Sequence, residues 1–143
     1  MRNFVTFHAA FEDDMVVDDQ GEVTAPPGKN VMSWLRQELV SSDFRCTEVE
    51  AHSFYGWSFD VVDGTQTIGC MLQYSDSWLL ISEPRRGFGD WIRGRRYEAL
   101  HERVLEAIED ALRASAQTSG VQRLKQDEFT ASARRERGPK TKR

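Results

Sequence analysis

With 143 residues, 39% hydrophobic content, four tryptophans and eight phenylalanines, the chain is long enough to bury one core and too apolar for an unfolded polymer. A mean hydropathy of -0.59, with no apolar run near the roughly 20 residues that cross a bilayer, excludes a helical membrane protein. The formal charge of -4 is divided, since residues 1–120 carry 11 Lys and Arg against 20 Asp and Glu, whereas residues 121–143 carry 8 against 3. An acidic body argues against nucleic-acid binding, which needs cations to displace phosphate counterions, except through the basic end. Glu12, Asp13 and Asp14 follow the first apolar stretch too closely for a signal peptide, so a cytoplasmic setting is expected and Cys46 and Cys70 are expected as free thiols.

Residues 3–11 (NFVTFHAAF) are short, aromatic and β-branched, and predict the first strand. Residues 12–29 hold six carboxylates, two prolines and two glycines, and predict an exposed acidic loop with a short edge strand at 15–17. Asn30 is placed to cap a helix in which Val31, Trp34, Leu35 and Leu39 share one side, ending near Ser42. One strand is expected within 46–54, after which Trp57, Phe59 and Val61 alternate with Ser58 and Asp60. Asp63-Gly64 predicts a hairpin turn into a return strand over 66–74, and Ser75-Asp76 a turn into 78–82 (WLLIS), apolar enough to be central. Pro84 stops that strand, and after Gly87 and Gly89 the longest helix places Tyr97, Leu100, Val104, Leu105, Ile108, Ala111 and Leu112 on one face. Its opposite face is expected to be Glu98, Glu102, Glu106, Glu109 and Arg113.

These elements predict an α+β fold of two layers, a mostly antiparallel sheet of four or five strands packed by two helices in the order β-α-β-β-β-α. The domain is expected over 1–115. Residues 116–143, with Val121, Leu124 and Phe129 as their sizeable apolar side chains, are expected to form a flexible, disordered basic tail in which a short helix near 121–127 forms only on docking.

Two charged segments are candidate sites. Asp13, Asp14, Asp18 and Asp19, with the off-pattern aromatic Tyr55, suit a basic protein partner, because carboxylate clusters steer such partners in. Their spacing does not match the twelve-residue calcium loop. Arg85, Arg86, Trp91, Arg93, Arg95 and Arg96 lie between a strand end and a helix start, where arginine forks and free N–H groups suit a small anionic ligand; a solvated loop balancing nearby carboxylates is the alternative. Gly87-x-Gly89 lacks a correctly placed third glycine and a strand after the helix, and Gly28-Lys29-Asn30 lacks the rest of a phosphate loop, so no cofactor is expected. His8, His52 and His101 are isolated, and Cys46 with His52 cannot complete a zinc shell, so no metal is expected. No Ser or Cys sits in a nucleophile elbow, so no catalytic residue is expected from local motifs, while a constellation of distant residues stays open.

In size, acidity and layout the chain resembles small standalone bacterial domains, immunity proteins that block a toxin by binding it among them, without a specific motif. That resemblance, with the charged loops, implies a non-enzymatic protein-binding module of the immunity type. The alternative is a sensor binding an anionic metabolite or nucleotide at Arg85 to Arg96.

Overall fold

The computed structural model describes residues 3–11, 15–52, 56–74, 77–85 and 94–130, the side chains at 52 and 94–97 excepted. In chain order the strands are β1 (Phe4–Ala9), β2 (Val16–Val17), β3 (Val23–Ala25), β4 (Arg45–Cys46), β5 (Glu50–His52), β6 (Gly56–Asp63), β7 (Gln66–Tyr74), β8 (Trp78–Pro84) and β9 (Thr118–Leu124). Helix α1 (Lys29–Ser41) lies between β3 and β4, and α2 (Gly94–Ala114) between β8 and β9. A short helix, α3, covers 126–130.

Seven strands form one antiparallel sheet in the order β4-β6-β7-β8-β1-β9, with β5 also paired to β6; β2 and β3 pair separately. Period-two alternation sets its two faces. Trp57, Phe59 and Val61 of β6 lie opposite Leu72, Cys70 and Ile68 of β7, and all six are buried on the face that carries the helices. β8 is central, between β7 and β1, as its apolar sequence predicts. The turn before β7 falls one residue later than expected: Asp63 pairs with Gln66, leaving Gly64-Thr65 as the loop. Gly64, at φ 60, occupies the first central position, where a two-residue turn matched to strand twist demands positive φ.

Both helices cover that buried face. Val31, Met32, Leu35 and Leu39 of α1 and Leu100, Val104, Leu105, Ile108 and Leu112 of α2 are all buried in one core. Each aliphatic side chain so removed from water contributes about 1.5–3 kcal/mol. The cap of α1 is Gly28 rather than Asn30, at φ 112, and a Cβ there would come within 2.8 Å of the Trp78 ring. Only glycine accepts both that dihedral and that contact.

Cys46 and Cys70 are free. They flank β6, Cys46 opposite Val61 and Cys70 opposite Phe59, so two strand spacings, about 9.6 Å, hold them beyond disulfide reach.

The expected boundary at 115 is overturned by β9. Residues 118–124 pair antiparallel with β1, so the ordered fold continues past the expected tail start, and the strands number seven in the main sheet rather than four or five. Three interactions hold β9 that apolar periodicity does not report. Arg123 forks onto Glu102 at 2.7 and 2.6 Å and reaches Glu109 at 3.3 Å. The Thr118 hydroxyl donates to the Leu112 carbonyl at the end of α2, and the Ala10 amide donates to Gln117 O at 2.8 Å. Phe129 of α3 then packs its ring 5.6 Å from Phe4. The same strand explains why Glu109, expected in solvent, is buried: β9 covers that flank of α2. A strand therefore does follow α2, contrary to one ground for setting aside the Gly87-x-Gly89 fingerprint, although the third glycine remains misplaced. Residues 131–143 of the expected tail lie outside the described residues.

Arg123→Met keeps the side-chain stem but removes both bonds to Glu102 and the contact to Glu109, whose other oxygen stays paired with Arg113 at 2.7 Å, and is expected to cost about 2 kcal/mol of unfolding free energy in urea. A loss below about 0.5 kcal/mol, the level of an ordinary surface change, would show that the fork does not anchor β9.

Candidate protein-docking surface

The acidic segment is organised as a small hairpin. β2 and β3 pair through Val16↔Ala25 and Val17↔Val23, with a register irregularity between the two pairs. Asp18 closes the turn: its Oδ1 accepts the amides of Gln20 and Glu22, each at 2.9 Å, and its own amide donates to Glu22 O. The Asp18 side chain thus has a structural duty beside its charge. Asp19 and Glu22 are exposed beside it.

What charge patterning underweights is the apolar content of this hairpin. Met15 is 43% exposed, Val16 52%, Val17 44% and Val23 36%, four of the six large hydrophobics exposed among the described residues. Isolated exposed hydrophobics are ordinary, but four on one two-stranded element beside carboxylates, with Val17 and Val23 directly paired, make it a candidate contact surface. The element is also a short two-stranded sheet of its own, separate from the main sheet.

Its attachment to the core is firm. The chain leaving β3 reaches Pro26, whose carbonyl accepts the Trp57 indole N–H at 2.9 Å. Gly28 then seats on Trp78, and Lys29 lies 5.5 Å over the Trp57 ring. Tyr74, 56% exposed, stacks 4.8 Å from Trp78 on the same sheet end and adds an aromatic to the surroundings of this anchor.

The other expected site residues are placed as follows. Asp13, Asp14, Tyr55, Arg86, Trp91 and Arg93 lie outside the described residues, as do the side chains of Arg95 and Arg96. Arg85 follows β8, and its Nε donates to Asp60 at 2.8 Å, the guanidinium lying across Gly69. Its charge is therefore met by a neighbouring carboxylate.

Two polar clusters were not legible in local motifs. Ser82 Oγ and His101 Nε2 are 2.7 Å apart, joining β8 to α2, and both residues are buried. A serine beside a histidine invites a catalytic reading, but buried side chains that hydrogen-bond each other form a tie between sheet and helix. Burial, the main influence, pushes the His101 pKa below its ordinary 6.5, with Arg123 adding to it, while a hydrogen bond to the Ser82 backbone and the charge of Glu102 act in the other direction. Arg123, by hydrogen bonding to Glu102, holds that carboxyl below its ordinary value. Burial raises both thiols above their ordinary value, Cys70 the more strongly, which favours the protonated form. Among the described residues no group of His, Cys, Asp and Glu is arranged to hold a metal ion, and no helix is long and apolar enough to cross a membrane.

His101 sets a pH dependence whose sign is fixed. Because its folded pKa is depressed, its contribution to stability is complete above about pH 6.5 and is lost as acid protonates the unfolded chain first. The thermal midpoint is expected to fall between about pH 7 and pH 5 more steeply in the wild type than in His101→Gln, which can still bond Ser82 but does not titrate. Equal slopes would show that His101 is not held neutral by the fold. No family model, curated protein or solved structure matches the chain, so the reading of its surface rests on its own chemistry.

Proposed function

We propose that this chain is a protein-binding module, of the kind that acts by occupying a partner rather than by transforming a substrate, and that the β2–β3 hairpin is its contact element. The observation that carries the reading is the coincidence of Met15, Val16, Val17 and Val23, all exposed, with Asp18, Asp19 and Glu22 on one anchored hairpin. Apolar side chains supply contact area that is desolvated on binding, and a carboxylate rim speeds encounter with a basic surface. The partner chemistry this fits is a protein face carrying lysine or arginine around an apolar centre, with or without an exposed strand edge to extend the hairpin. An inhibitor of the immunity type would use such a surface, since a preformed, charge-steered element gives fast and tight capture.

The test separates charge from contact. With the full chain as bait, a captured partner is identified and its binding kinetics are measured. Asp18→Asn, Asp19→Asn and Glu22→Gln together keep the turn-closing acceptor and remove three charges; they are expected to slow association about tenfold at low salt and to flatten its salt dependence. Val16→Ser with Val17→Ser is expected to speed dissociation by a similar factor, about 1.4 kcal/mol. A partner whose association and dissociation rates ignore both sets does not bind this hairpin.

A further inference from the structure

A second surface, distinct from the hairpin, lies between the C-terminal end of α1 and α2. The two helices touch, then leave an open groove of about 530 Å³ lined by Glu38, Phe44, Arg103, Glu106, Asp110 and Ala111. Ala107 and Ala114 line it as well, beside Ala111. The groove's single lining cation, Arg103, lies 5.6 Å over the Phe44 ring. Glu38, Glu106 and Asp110 make no ion pair among the described residues, although Arg36, Arg85, Arg113 and Arg123 all pair with carboxylates elsewhere. Glu106 and Asp110 stand one helical turn apart, where like charges repel. Among the described residues the groove therefore carries three carboxylates against one arginine.

We propose that residues 131–143 of this same chain seat in that groove. The segment reads ASARRERGPKTKR and carries six cations against one carboxylate, the complement of what the groove offers. It has no leucine, isoleucine, valine, methionine or aromatic residue, so it suits an acidic groove lined by alanine and has nothing to offer the exposed valines of the hairpin. Geometry permits the contact. β9 touches one flank of α2 through Arg123, and the groove opens on the opposite flank, about one helix diameter or 10 Å away. Thirteen residues beyond α3 span up to about 43 Å when extended, enough to round the sheet edge and cross α2. Because the segment is tethered, its local concentration is on the order of millimolar, which suffices for a contact made of a few exposed ion pairs.

The test uses the full chain labelled with nitrogen-15. In the wild type at low salt, backbone order parameters for 134–143 are expected near about 0.8, falling below about 0.6 when salt is raised enough to shorten the Debye length to a few ångström. The double variant Glu106→Gln, Asp110→Asn leaves the core untouched and is expected to release the segment at low salt as well. Order parameters already below about 0.6 in the wild type would overturn the proposal, as would order that survives the double variant. Release by Asp18→Asn with Asp19→Asn instead would move the contact to the hairpin. Order that disappears on dilution would assign it to a neighbouring copy, and either result would also overturn the proposal.

Discussion

The structure depends on one burial. The apolar stripe of α2, from Leu100 through Val104, Leu105 and Ile108 to Leu112, lies against the face of the sheet formed by Phe7, Phe59, Ile68, Cys70, Leu72 and Leu80. An antiparallel sheet with one oily face cannot stand in water uncovered, and α1 packs chiefly against the β4 and β6 side of it. The helix also creates the setting for the polar ties. His101 meets Ser82 and Glu102 meets Arg123 because α2 is already held at packing distance. Each tie is worth little alone, and each would be a liability if the helix moved, since a buried group left without its partner costs more than the bond contributes.

This rigid centre explains how a two-stranded hairpin, marginal in isolation, is held in place. β2 and β3 do not join the main sheet; they are fastened at their exit by Trp57, Trp78 and Gly28, all of them core or core-edge positions. The hairpin's valines therefore stand on a fixed base, which would lower the ordering cost of the proposed contact. The groove beside Phe44 has a similar origin, since α1 ends there and α2 continues past it.

Much of this was legible in the sequence where local pattern and burial agree. Trp57, Phe59 and Val61 alternate because one face of β6 is buried, and Val104, Leu105 and Ile108 recur at helical spacing because one side of α2 is. β9 was not legible. Its sequence, TSGVQRL, offers one buried-side aliphatic, Val121, and its hold on the domain comes from Arg123 meeting carboxylates 21 and 14 residues away. The hairpin was legible as acidic and exposed, but the exposure of its valines was not, because propensity assigns them to a strand without saying which face they present. Ser82 and His101 are 19 residues apart and are joined only by packing.

Native-state hydrogen exchange tests the central burial most directly. If α2 and the sheet form one cooperative unit, the amides of β6, β7, β8 and α2 will exchange only through global opening, at the free energy of unfolding, while those of β2 and β3 exchange through far cheaper local opening. Amides of α2 exchanging as readily as the hairpin, with β6 to β8 still protected, would show that the sheet stands without the helix and would contradict the account.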